Sequence, residues 1–304
     1  MVVGEDDGNP DMNSILDQLL KSKPVLLDGA WGTQLQARGL AIGEAPDPWN
    51  LTHADRVREV AQAYVDAGSQ IILTNTFGAN RIRLNESDAA FAERTVDINR
   101  AGVEISKQAA GDGVFVFASI GPSGKMILSG DVTVEDLQET FTEQADALAQ
   151  GGADALVVET MSDPEEASIA VRAAKATGLP VVACMAYESG ADLDRTMMGT
   201  TPEQAAEVLA NAGADVIGAN CGQGIAGFIP ICQRLKAVTG LPIWMKANAG
   251  LPEWIDGNVV YRMTADEFAG HARSLIAAGA AFIGGCCGTS PRFIRDLKAV
   301  LDRD

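Results

Sequence analysis

Asn211-Ala212-Gly213-Ala214-Asp215-Val216-Ile217-Gly218-Ala219-Asn220-Cys221 reads as one structural phrase. Small residues end a helix, Gly213 turns the chain through a left-handed cap, a short apolar run follows, and the run closes on polar residues. Related phrases recur at Asp66-Ala67-Gly68-Ser69, Gln150-Gly151-Gly152-Ala153-Asp154 and Ala277-Ala278-Gly279-Ala280. Apolar runs of this kind occupy 25–28, 71–75, 114–119, 155–159, 181–185, 216–221, 243–248 and 282–287. Continuous short runs mark strands buried on both faces, as in a parallel sheet. Amphipathic stretches lie between them. In 55–67, Val57, Val60, Ala61, Tyr64 and Val65 fall at helical spacing, and Leu137, Phe141, Ala145 and Leu148 do so in 134–149. Helix starts are marked by Thr201-Pro202-Glu203, with Pro in the first turn, and by Thr264-Ala265-Asp266-Glu267, close to a capping box. Eight βα units without a linker predict an α/β fold, a (β/α)8 TIM barrel. A doubly wound open sheet shares the periodicity and is the alternative. The expected organisation is a flexible acidic tail over 1–12, MVVGEDDGNPDM, and a single barrel domain over 13–304.

Composition narrows the function. The 304 residues carry 23 Lys plus Arg against 41 Asp plus Glu, a formal net charge of -18. Phosphate contacts need a basic footprint, so nucleic acid is excluded as a partner, and an anionic membrane surface would repel the chain. There is no apolar run of about 20 residues to span a bilayer, and no basic start followed by an apolar stretch to act as a secretory signal. A cytoplasmic protein is expected, in which thiols stay reduced and clustered Cys point to metal or catalysis before disulfides.

Polar residues gather where the predicted strands end: Asp28-Gly29, Thr74-Asn75-Thr76, Ser119, Glu159-Thr160, Asn220-Cys221, Asn248 and Cys286-Cys287. In a barrel that end carries the active site. Cys221 closes the sixth run and Cys286 and Cys287 the eighth. Alternate strands share a layer of a barrel, so the three thiols can converge. Adjacent residues on a regular strand face opposite ways; Gly284, Gly285 and Gly288 allow the break that lets both vicinal cysteines face one point. Three thiolates suit Zn2+ with one position left open, although a vicinal pair without function has the same spacing. Cys184 and Cys232 read as small core residues. An open position on soft zinc suits a substrate thiol, which is deprotonated there and remains a nucleophile toward an electrophilic carbon. Glu159 and Asp28 then suit a substrate ammonium; a helix cap or a structural ion pair is the alternative for each.

The phrases Leu27-Asp28-Gly29-Ala30-Trp31-Gly32-Thr33, Leu73-Thr74-Asn75-Thr76-Phe77-Gly78-Ala79-Asn80, Ser119-Ile120-Gly121-Pro122-Ser123-Gly124, Val158-Glu159-Thr160, Gly218-Ala219-Asn220-Cys221, Ala247-Asn248-Ala249-Gly250-Leu251-Pro252 and Gly284-Gly285-Cys286-Cys287-Gly288-Thr289-Ser290-Pro291 occur in this order. Together they resemble the homocysteine S-methyltransferase family, and within it the homocysteine domain of cobalamin-dependent methionine synthase more than the betaine-dependent branch. The resemblance implies a zinc-dependent barrel of EC class 2.1.1 that methylates the thiol of homocysteine in methionine biosynthesis. It implies Cys221, Cys286 and Cys287 as zinc ligands, catalytic through activation of the substrate thiol. It also implies Asp28, Gly29 and Glu159 at the amino-acid end of homocysteine, with Thr74, Asn75 and Ser119 at the barrel mouth. Ala219 departs from the larger apolar residue common before Asn-Cys, and Lys246 matches no family role. A chain of 304 residues leaves no room for folate, corrinoid or reactivation domains beside the barrel, so the methyl donor stays open.

A small cationic donor such as betaine or S-methylmethionine calls for an aromatic cage. The chain offers few rings for one: Trp31, Phe77 and Tyr187 follow strands and Trp244 lies within one, which favours an open mouth and a methylcorrinoid such as methylcobalamin, free or on a partner protein. Two further classes are a Schiff-base lyase using a desolvated Lys246 and a noncatalytic subunit that docks a corrinoid protein.

Overall fold

The computed structural model describes residues 13–21, 24–255 and 258–303; the acidic stretch 1–12, expected as a tail, lies outside the described residues. The strands are β1 (Val25–Leu26), β2 (Ile71–Ile72), β3 (Phe115–Ile120), β4 (Ala155–Met161), β5 (Val181–Met185), β6 (Val216–Gly224) and β7 (Ile243–Asn248), then a hairpin of β8 (Glu253–Ile255) and β9 (Asn258–Val260), then β10 (Ala280–Gly285). Eight of them form one parallel sheet in the order β1-β10-β7-β6-β5-β4-β3-β2. From β2 to β7 the strands neighbour one another in chain order, β10 lies beside β7 and returns to β1, and side-chain and backbone hydrogen bonds close the remaining β1–β2 seam, so the sheet is a (β/α)8 barrel and the doubly wound alternative is set aside.

The seam between β1 and β2 is closed by side chains as much as by backbone. Gln70 donates its N–H to Leu26 O at 2.8 Å and accepts Leu26 N–H on its side-chain oxygen at 2.9 Å. Two carboxylates do similar work elsewhere at strand starts. Asp154 accepts the N–H of Val116 and pairs with Lys107 at 2.9 Å, and Asp215 accepts the N–H of Val181 and pairs with Lys175 at 2.8 Å.

The glycine punctuation acts as expected. Gly68, Gly152, Gly213 and Gly279 all take positive φ after the helices they end, and Thr201 and Thr264 both make full capping boxes. Val57, Val60, Ala61 and Tyr64 are buried, as are Leu137, Phe141, Ala145 and Leu148. The barrel interior forms its own cluster. Trp244 lies between Phe117 and Phe282, with ring centroids 6.0 and 5.2 Å away, and Leu19 of the helix Asn13–Leu20 belongs to the same cluster. Cys184 is buried in that interior and Cys232 in the core outside it, as expected of core residues. No helix among the described residues is long and apolar enough to cross a membrane.

Candidate metal and substrate site

The three cysteines converge. Their Sγ atoms lie within 4.8 Å of one another, and Cys221 and Cys287 stand 3.9 Å apart. Two irregularities produce this. β10 ends at Gly285, and the chain turns through Cys286 and Cys287 to Gly288 at φ +79, so the expected break is present. On the other side, β6 does not stop at Cys221 but runs irregularly to Gly224, with its register against β7 slipping between Asn220 and Gly224. Cys221 sits in that slip at φ 59, a left-handed conformation that costs a non-glycine residue about 1 kcal/mol or more. The slip re-aims its thiol. Thr160 makes the matching departure at the end of β4, also at φ 59.

Asn220 couples these two strand ends. Its side-chain oxygen accepts Thr160 N–H at 2.6 Å, and its amide nitrogen donates to Thr160 Oγ1 at 2.6 Å and to Glu159 Oε2 at 3.2 Å. The same nitrogen lies 3.9 Å from Cys286 Sγ. Glu159 is completed by Ser119, whose hydroxyl donates to Oε1 at 2.5 Å. Burial pushes the Glu159 carboxyl up to about 7, against the opposing pull of the Lys246 charge. Thr289 ties the cysteine turn to β1: its hydroxyl donates to Cys286 O at 2.8 Å and accepts Ala30 N–H at 3.1 Å. Gly29 has no room for a side chain there, since a Cβ would stand 2.7 Å from Thr289 Oγ1 and 2.8 Å from the Tyr64 hydroxyl.

The thiols share charge. Hydrogen bonds from Cys286 and Cys287 push the Cys221 thiol well down, and the same contact with Cys221 pushes the other two up. Such a cluster holds one negative charge readily and accumulates the rest only beside a cation. A divalent soft cation fits this donor set: thiolates about 2.3 Å from a tetrahedral zinc stand about 3.8 Å apart, near the spacing found. Asn248 strengthens the fit. Its amide nitrogen lies 3.7 Å from Cys221 Sγ, and its buried Oδ1 has no hydrogen-bond partner.

Other residues named from the sequence are placed differently. Asp28 reaches the site, but Oδ1 accepts from Lys246 Nζ at 2.5 Å and Oδ2 accepts from Trp31 Nε1 at 2.8 Å and Leu73 N at 2.7 Å. Thr74 and Thr76 share a hydroxyl pair at 2.6 Å; Thr74 accepts Ser119 N–H, and Thr76 donates to Ser119 O. They brace β3. The Asn75 amide is spent on Pro46 O at 2.8 Å and Asn50 Oδ1 at 3.0 Å, which secures the loop after β1.

Lys246 is not the free amine that the lyase reading needs. Burial alone would lower it, but Asp28, Glu159 and Cys286 outweigh burial and raise it. The four candidate rings form no cage: Trp244 and Tyr187 are fully buried core residues, Trp31 serves Asp28, and Phe77 lies under the Arg83 guanidinium at 5.9 Å. Sequence reasoning missed Tyr261. Its hydroxyl hydrogen-bonds to Cys287, and a Cβ on Gly288 would stand 2.3 Å from its ring. The only trace of it in the sequence is the glycine that leaves it room.

Fold and site together define a parallel barrel with a metal-competent thiol cluster and a buried carboxylate at its mouth. The chain belongs to the homocysteine S-methyltransferase family, whose profile matches residues 25–301. Its relatives are methyltransferases. Methionine synthase from Mycobacterium tuberculosis (strain ATCC 25618 / H37Rv) is 30% identical over 302 residues, covering 93% of this chain and 25% of its own length. Betaine–homocysteine S-methyltransferase 1 from Danio rerio is 28% identical over 311 residues, covering 95% of this chain and 76% of its own. Among solved structures, the metallated form of the homocysteine methyltransferase MmuM from Escherichia coli matches with a TM-score of 0.76 at 25% identity, covering 95% of this chain and 99% of that one. The chain thus spans about a quarter of the methionine synthases it matches.

Proposed function

We propose that this barrel transfers a methyl group to the thiol of homocysteine, giving methionine, with Cys221, Cys286 and Cys287 holding zinc. The convergence of those three thiols beside the buried Glu159 carries the reading. Zinc bound there supplies a site at which a substrate thiol loses its proton at neutral pH and stays nucleophilic. The chain's own residues do the rest. Glu159, held by Ser119 and Asn220, takes the substrate ammonium as a charge-assisted partner. Asn220 spans from Glu159 to Cys286, so one side chain relates the amino-acid end of the substrate to the thiol end. Gly29 packs on Thr289, which ties the Cys286 turn to the strand end that carries Asp28. The tight packing around Glu159 keeps water from competing for its charge. The need for reduced thiols suits a cytoplasmic setting.

For the donor we propose a methylcorrinoid offered across the mouth, free or carried by a partner protein. Two observations support an open mouth. No ring cage stands at the site among the described residues. Six exposed apolar residues, Ile42, Met126, Leu128, Met197, Leu251 and Trp254, lie in segments that follow barrel strands, on the side of the thiols, while Val96 and Val238 lie on helices. The test is methionine formation by the zinc-loaded chain from homocysteine with methylcobalamin, S-methylmethionine, betaine or methylfolate at equal concentration. Turnover with methylcobalamin and little with betaine is expected. Rapid turnover with betaine or S-methylmethionine and none with methylcobalamin overturns the donor, and no methionine from any of the four overturns the activity.

A further inference from the structure

Lys246 is the unexplained charge of the site. It lies on β7 between Trp244 and Asn248, and alternate residues on a strand share a face. It therefore points into the barrel between the aromatic interior and the thiols. Its side chain is 2% exposed. An ammonium has three N–H donors, and Asp28 Oδ1 at 2.5 Å is its one hydrogen-bond partner among the described residues. Its strand neighbour on one side is Gly284, which is packed against Leu27 and Asp28 O and offers Lys246 no side-chain acceptor, and on the other is Asn220, which is committed to Thr160 and Glu159. A buried ammonium with donors left over is costly unless something arrives to take them.

Charge balance says what arrives. Asp28 and Lys246 cancel, and Glu159 is left to meet one cation. An α-amino acid brings that cation together with a carboxylate, which would come to lie among Asp28, Glu159 and three thiols. Lys246 is the cation whose charge acts on Glu159. We propose that Lys246 recognises the α-carboxylate of the substrate, using the donors Asp28 leaves free, while Glu159 takes the α-ammonium. This rests on the reading of the site as a thiol-methylating one and deepens it. The barrel then selects amino-acid thiols over plain amine thiols, and Asp28 serves to hold Lys246 in place.

The experiment compares equilibrium binding of homocysteine and 3-aminopropane-1-thiol, the same molecule without its carboxylate, to the zinc-loaded full chain. Wild type is expected to favour homocysteine by about tenfold or more, the worth of one charge-assisted hydrogen bond. Lys246→Met leaves Asp28 buried and unpaired, so Lys246→Met/Asp28→Asn is made beside it to remove that charge. Both variants are expected to bind the two thiols within about twofold of each other, with zinc at the wild-type level. Equal binding of both thiols by wild type overturns the assignment, as does a preference of wild-type size in the double variant. A zinc-loaded wild type that binds neither thiol overturns instead the function on which the assignment rests.

Discussion

Asp28 Oδ2 accepts the backbone N–H of Leu73 at 2.7 Å, so a carboxylate stands in for a ladder hydrogen bond where β1 meets β2. Its other oxygen holds Lys246, 218 residues away in sequence. One side chain thus closes the barrel seam and anchors the buried cation of the site. Asp28→Ala strands both a buried ammonium and a backbone donor and is expected to cost about 3–5 kcal/mol. Asp28→Asn keeps an acceptor for Leu73 and is expected to cost less, and adding Lys246→Met to it should recover part of the loss. Denaturant midpoints of the three variants measure this. An Asp28→Ala cost below about 1 kcal/mol would refute the double role.

Glu159 makes substrate binding depend on pH. The groups acting on it are Lys246, Cys286, Ser119 and Asp28, and burial dominates, holding the carboxyl near 7. Only the ionised form meets an ammonium with full charge. Homocysteine affinity relative to 4-sulfanylbutanoate, which lacks the amino group, should therefore rise with pH through about 7 and flatten above it. The ratio removes the pH dependence that the two thiols share. Glu159→Gln should flatten the profile and lower homocysteine affinity about tenfold while zinc stays bound. A ratio independent of pH in wild type would remove Glu159 from the ammonium.

Asp47 offers a stability counterpart away from the thiols. It is 3% exposed and accepts Gly78 N–H at 2.8 Å. Burial pushes its carboxyl from 3.8 up to about 6. The unfolded chain has lost this proton by about pH 5 while the folded chain still holds it, so stability falls as pH rises through the window from about 4 to 6. Asn keeps the acceptor for Gly78 and has no charge to bury. Asp47→Asn should stabilise the protein by up to about 3 kcal/mol at pH 8 and by little near pH 4. Thermal melts at the two pH values check the difference, and an equal effect at both would show that burial is not the cause.

Gly218 tests the packing of β6 on β7. A Cβ there would stand 1.8 Å from Trp244 O, a backbone atom that cannot swing aside. Gly218→Ala should cost more than about 3 kcal/mol or abolish folding, whereas Gly113→Ala, where a Cβ meets nothing within 4 Å, should change stability little. Equal tolerance at both positions would contradict the register described here.

The barrel was legible in the sequence because each unit repeats the same local chemistry: the glycine cap at Gly213 or Gly279, the apolar run, the polar end. The break that admits both Cys286 and Cys287 was legible from Gly284, Gly285 and Gly288. The turn at Cys221 was not, because nothing in a cysteine announces φ 59, and Thr160 hides its own departure in the same way. The Asp28–Lys246 pair was hidden by distance along the chain, since each residue alone reads as a polar strand end. Asn75 reads as a mouth residue from its motif, yet it meets Asn50, whose place beside it depends on the path of the loop after β1. The β8–β9 hairpin is too short for its alternation to stand out, and Tyr261 just beyond it was lost with it.

The central claim is that Cys221, Cys286 and Cys287 hold zinc and leave it open to the substrate thiol. X-ray absorption at the zinc edge of the metal-loaded chain, with and without homocysteine, tests it most directly. Three sulfur neighbours are expected without homocysteine and four with it, and Cys221→Ser should lose most of the zinc while Cys184→Ser keeps it. A sulfur count that homocysteine leaves unchanged, or zinc fully retained in Cys221→Ser, would contradict the account.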